Sequence, residues 1–123
     1  MAAVALVAAA PAVVPKRLSV TSQTPVTAKG SLKGDQFVDY VLAGTEGHTL
    51  SVAMTTTNRS AYFNLTAPGS DTALFIGSID GGKFSGKLPV TGDYRLRVYL
   101  MRSAARRGDS ADYRLRAWVL PTR

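Results

Sequence analysis

The chain has 123 residues, 46% of them hydrophobic and 19% charged, and it contains no cysteine. That length supports one domain with a modest core, and the composition excludes a disordered chain. The missing cysteine excludes disulfides, thiolate metal ligands and a thiol nucleophile together. Fifteen Lys and Arg against eight Asp and Glu leave a net charge of +7. Such a surface draws polyanions, anionic lipid headgroups or an acidic protein without choosing among them. Most of the excess is arginine in the last third of the chain, from residue 95 onward, the cation suited to bidentate pairing with carboxylate or phosphate.

Residues 1–14 (MAAVALVAAAPAVV) are apolar and alanine-rich, and too short to span a bilayer, which takes roughly 20 apolar residues. They fit the apolar region and small-residue cleavage zone of a secretory signal, at Ala8 and Ala10 or Ala10 and Ala12. No basic residue precedes Lys16, so the reading expects the signal to begin upstream of Met1. The alternatives are an apolar N-terminal tail or a first strand docked on the domain. The expected organisation is a leader over 1–14 and one exported domain over 15–123.

Beyond the leader the chain reads as short strands with turn punctuation. Residues 37–43 (FVDYVLA) are rich in strand formers and end at a turn cluster over 44–47. Residues 48–57 alternate, with Leu50, Val52 and Met54 on one face, which predicts a half-buried strand. Residues 62–66 and 73–76 are two more short runs, separated by a turn at Pro68 and Gly69. Residues 77–86 (GSIDGGKFSG) look like an exposed glycine-rich loop. The clearest signal comes last. Residues 92–101 (GDYRLRVYLM) and 111–120 (ADYRLRAWVL) share DYRLR and alternate throughout. Tyr94, Leu96, Val98 and Leu100 share one face of the first. Tyr113, Leu115, Ala117 and Val119 share one face of the second. The spacing predicts a long hairpin joined through residues 102–110. Seven or eight such strands indicate an all-β fold, a single antiparallel β-sandwich with little or no helix.

Little here suits catalysis. His48 is the only histidine, and without cysteine the ligand set for zinc is missing; it reads as a surface residue at a strand end. Asp35 and Asp39 lack the spacing of a calcium loop. Asp93 and Asp112 precede the matching tyrosines and are expected to cap turns. No enzyme, cofactor or metal is expected. The segment MRSAARRGDS, by contrast, sets Arg102, Arg106 and Arg107 among small residues in a loop held by strands, where binding residues concentrate. If it contains a helical turn, Arg102 and Arg106 project from one side; the plain alternative is a solvated basic turn. Arg95, Arg97, Arg114 and Arg116, with Tyr99 and Trp118, are expected on one face of the hairpin. Such a face suits an acidic partner and also resembles a single-strand nucleic-acid platform, but the expected export argues against nucleic acid, and no nucleic-acid partner is expected.

The stretch GDYRLRVYLMRSAARRGDSADYRLRAWV resembles the C-terminal hairpin of the periplasmic inhibitors of goose-type (g-type) lysozyme. Those proteins have two tyrosine-led strands joined by a loop with two arginines four residues apart. Upstream, GSLKGDQFVDYVLAGTEGHTLSV and GKLPVTGDY are similar to further segments of the family, so the resemblance covers roughly residues 30–119. Secreted pre-peptidase C-terminal domains look similar over the second of these. The resemblance implies a periplasmic inhibitor whose Arg102 and Arg106 enter the acidic lysozyme cleft, with Ser103, Arg107, Asp35 and Phe37 in the contact. The family carries a tyrosine after its Lys-Gly pair, where this chain has Asp35; the nearest aromatic is Phe37. An alternative within the resemblance is a pre-peptidase-like binding domain for protein or cell-wall polymer that inhibits nothing.

Overall fold

The computed structural model describes residues 15–20 and 24–121; the expected leader over 1–14 lies outside them. Nine strands and two short helices follow one another among the described residues. They are β1 (Lys16–Leu18), β2 (Val26–Lys33), β3 (Phe37–Gly44), β4 (Thr49–Thr56), β5 (Ala61–Thr66), β6 (Ala73–Ile76), α1 (Gly77–Asp80), β7 (Lys83–Lys87), β8 (Gly92–Leu100), α2 (Arg102–Arg106) and β9 (Ser110–Leu120). A five-stranded sheet runs β1-β3-β8-β5-β6 and a four-stranded sheet runs β2-β9-β4-β7. All pairs are antiparallel except β1 with β3. This is the expected all-β sandwich.

The alternation that marked the strands also builds the core. Tyr94, Leu96, Val98 and Leu100 of β8 are buried, as are Tyr113, Leu115, Ala117 and Val119 of β9. They meet Leu42, Phe63 and Leu65 from the first sheet and Leu32, Leu50 and Val52 from the second in one cluster, the interdigitated layer expected between two packed sheets.

The expected hairpin does not form. β8 lies in the first sheet, between β3 and β5, and β9 in the second, between β2 and β4. Both strands point their tyrosine–leucine faces inward, so they face each other across the core instead of pairing edge to edge. Their polar faces consequently lie on opposite outsides of the sandwich. Arg95, Arg97 and Tyr99 belong to one, and Arg114, Arg116 and Trp118 to the other. The combined arginine–aromatic platform is therefore absent. Residues 77–86 are also not a loop: they form α1 and most of β7, an edge strand paired with β4 whose apolar content is Phe84. Asp93 and Asp112 do not cap turns. Asp93 pairs with Arg17 (2.8 Å), and Asp112 accepts from the Ser31 hydroxyl (2.7 Å).

The two DYRLR tyrosines explain two glycines. Tyr113 reaches across the core from β9 to share a 2.6 Å hydroxyl–hydroxyl hydrogen bond with Tyr40 of β3, joining the sheets. Its ring lies over Gly30, its register partner on β2, where a Cβ would collide with the phenol oxygen. Tyr94 donates to the carbonyl of Val90 and accepts from its N–H. Gly44 leaves it room, since a Cβ there would meet the ring at 2.7 Å.

Two outcomes are expected. Gly30→Ala costs more stability than Tyr113→Phe, about 2–3 kcal/mol against about 1 kcal/mol, because the methyl displaces the ring while the Phe removes one hydrogen bond; urea midpoints check the order. Burial and the bond to Tyr40 also hold the Tyr113 hydroxyl well above its ordinary value of 10.0. The folded state keeps that proton to higher pH than the unfolded chain. This stability is complete below pH about 10 and falls as pH rises beyond it. Tyr113→Phe flattens that alkaline decline, as denaturation across neutral to alkaline pH will show.

Candidate functional site

Crossing from the first sheet to the second requires the chain to turn over one end of the sandwich, and α2 is that crossing. Its entry is fixed by Met101, whose N–H donates to the Ser60 carbonyl (2.8 Å) and whose carbonyl accepts from Ala105 (2.8 Å). Its exit is fixed by the N–H groups of Gly108 and Asp109, which bond Ala105 and Ala104 (both 3.0 Å). The Asp109 carbonyl then accepts from Gly34 (2.9 Å), tying the loop to the turn between β2 and β3. Ala104 is fully buried and Ala105 packs on the core. The small residues thus seat the loop rather than thinning it into a finger.

A single helical turn then sorts the side chains. Positions four apart share a side, and the position between them points the other way. With Ala104 inward, Arg102 and Arg106 are both exposed, as is Ser103. Neither Arg102 nor Arg106 has a carboxylate partner among the described residues. Arg107 differs, because its guanidinium pairs with Asp109 two residues on (2.8 Å). The loop presents two free cations and one that is already neutralised.

The turn between β2 and β3 brings two further residues to this end. Asp35 and Phe37 line a shallow hollow of about 450 Å³ together with Arg102 and Ala105; Ser103, Arg106 and Arg107 lie outside it. Asp35 is exposed on the turn. Phe37 opens β3 on its outer face, opposite Tyr99. The Arg97 guanidinium sits 4.1 Å from the centre of its ring, a cation–π contact. That guanidinium is held by Asp39, with Nε to Oδ1 at 2.7 Å and Nη2 to Oδ2 at 2.9 Å. These charge-assisted hydrogen bonds keep the Arg97 pKa above its ordinary value. Asp39, which lacks calcium-loop spacing with Asp35, is the buried anchor that orients Arg97 over Phe37.

Sequence reasoning did not assign Asn64 or Tyr99 to this end, yet both line the hollow, and the Tyr99 hydroxyl donates to Asn64 Oδ1 (3.1 Å). Phe37, Tyr99 and Tyr62 form one cross-strand row over β3, β8 and β5. Only strand register makes that row, and register is not written in any single segment. His48 lies in the turn before β4, bonded through its backbone to Thr45 and Leu88. No group of three His, Cys, Asp or Glu among the described residues is placed to hold a metal ion.

No family model matches the chain, and no curated protein matches it by sequence. Solved structures do. The crystal structure of PliG from Aeromonas hydrophila, a periplasmic inhibitor of g-type lysozyme, is 30% identical, with a TM-score of 0.71 over 86% of this chain and 99% of that one. PliG from Salmonella Typhimurium, likewise a periplasmic inhibitor of g-type lysozyme, is 24% identical, with a TM-score of 0.63 over 86% and 99% of the two chains. The pre-peptidase C-terminal domain of Bacillus anthracis collagenase shares the fold at 18% identity, with a TM-score of 0.65 over 87% and 97%. A chain that spans nearly the whole of a 30% identical PliG, in the same two-sheet fold, belongs to the family of periplasmic g-type lysozyme inhibitors.

Proposed function

We propose that this protein inhibits g-type lysozyme in the periplasm by placing Arg102 and Arg106 in the acidic, peptidoglycan-cleaving cleft of the enzyme. The observation that carries the mechanism is the pair itself. Two exposed arginines project from one side of a pinned helical turn, and neither is neutralised among the described residues. A preformed loop loses little entropy on docking, and an arginine meeting a carboxylate in a desolvated cleft forms the stronger, charge-assisted class of hydrogen bond. Occupying the cleft excludes the glycan. The protein's overall positive charge of +7 speeds encounter with an acidic enzyme more than it adds affinity.

Asp35 works against this partner. It lines the hollow beside Arg102, where the family places a tyrosine, and its carboxylate would face acidic residues of the cleft. Ser103 and Phe37 supply neutral contact around the arginines.

The inhibition constant tests the reading residue by residue. Arg102→Ala and Arg106→Ala each raise it by more than about 1 kcal/mol, the level of a hot spot. Arg107→Ala, whose cation already serves Asp109, changes it by less than about 0.5 kcal/mol. Unchanged inhibition in the first two variants overturns the mechanism. Asp35→Tyr, by removing the like charge, tightens inhibition on the order of tenfold, about 1.4 kcal/mol; weaker inhibition in that variant would contradict the role given to Asp35.

A further inference from the structure

The two outer faces of the sandwich treat their cations differently. The five strands of the first sheet carry four cations and two acids, and both acids are used: Asp39 holds Arg97 and Asp93 holds Arg17. The four strands of the second sheet carry six cations and one acid, Asp112, which accepts from Ser31. None of Lys29, Lys83, Arg114 and Arg116 has a carboxylate partner among the described residues. Lys29 and Arg114 even stand directly opposite each other on β2 and β9, an arrangement that costs stability.

This face is grooved. Three shallow depressions of about 610, 470 and 450 Å³ adjoin across it. The first two share Thr55 and Arg114, and the last two share Ala53. The trough follows β9 from Asp112 to Trp118, roughly 20 Å at the rise of a strand. Between the cations its walls are hydroxyl-bearing, with Thr27, Ser31, Thr55, Ser51 and Ser85.

We propose that this trough binds peptidoglycan, through its glycan and its anionic peptide stems. Bidentate arginines suit the carboxylates of its peptide stems, and the serine and threonine hydroxyls suit its sugar hydroxyls. Single-stranded nucleic acid is a poorer match. It needs several aromatic side chains to stack successive bases, and Trp118 is the only aromatic facing outward from these four strands. The choice of peptidoglycan among anionic polysaccharides rests on the inhibitor reading. The lysozyme loop crosses one end of the sandwich while the trough lies on a flat side, so one molecule can stay on the wall polymer and block the enzyme that attacks it.

Co-sedimentation of the purified protein with isolated sacculi tests this. The expected result is binding that weakens with salt, and weakens at least about tenfold in R114Q/R116Q. Sacculi whose carboxylates are amidated should bind as poorly as the variant. The melting temperature of R114Q/R116Q should equal or exceed that of the parent, since the repulsion with Lys29 is relieved. R102A/R106A should sediment normally, and R114Q/R116Q should inhibit g-type lysozyme on a soluble substrate like the parent. A parent that sediments without inhibiting supports the trough while refuting the inhibitor reading. Undiminished binding by R114Q/R116Q or to amidated sacculi overturns the proposal, as does loss of binding in R102A/R106A. Tighter binding to single-stranded DNA or to lipopolysaccharide vesicles overturns it equally.

Discussion

Alternation along a strand is the constraint from which this molecule follows. A strand can bury only every second side chain, and β8 and β9 both bury the tyrosine–leucine half of the same DYRLR motif. Two adjacent strands that both face inward can pair in one sheet or oppose each other in two. Here they oppose, so the chain between them has to pass over the end of the core. That passage places α2 where it is, buries Ala104 as its seat and leaves Arg102 and Arg106 outside. One of these inward tyrosines links the layers: Tyr113 crosses to Tyr40, and Gly30 on β2 leaves space for its ring.

Charge is arranged as deliberately as packing. On the first sheet Asp39 and Asp93 each hold an arginine, and Arg97 in turn covers Phe37. At the end of the sandwich Asp109 takes Arg107, while Arg102 and Arg106 on α2 have no carboxylate partner among the described residues. On the second sheet none of Lys29, Lys83, Arg114 and Arg116 is paired with a carboxylate among the described residues. Because exposed ion pairs contribute little to stability, this distribution has its main consequence in what the surface can bind. The loop offers two localised cations for a cleft, and the second sheet offers a spread of them for a chain.

The sandwich was legible because its best strands announce themselves by period two with large apolar residues, as in Leu50, Val52 and Met54 of β4 or the whole of β9. β2 is hard to see in sequence, although it alternates, because its inward positions include Ala28 and Gly30, too small to register as apolar. β7 reads as a loop in sequence because its glycine and serine flank a single half-buried apolar residue, Phe84. The hairpin was mistaken for a physical reason: sequence shows which face of a strand is buried, but both partners of a facing pair and both of a hydrogen-bonded pair show the same pattern. The arginine spacing did reveal the loop. Its anchoring by Ser60 and Gly34, and the pairing that separates Arg107 from Arg102 and Arg106, depend on contacts between residues far apart in the chain and needed three dimensions.

The most direct measurement is titration of the purified protein into a g-type lysozyme lysis assay, with hen-type lysozyme run in parallel. Inhibition of the g-type enzyme is expected at sub-micromolar concentration, on the order of −8 kcal/mol or stronger, with the hen-type enzyme unaffected. Full lysis by the g-type enzyme at saturating protein, or equal inhibition of both enzymes, would contradict the inhibitor reading.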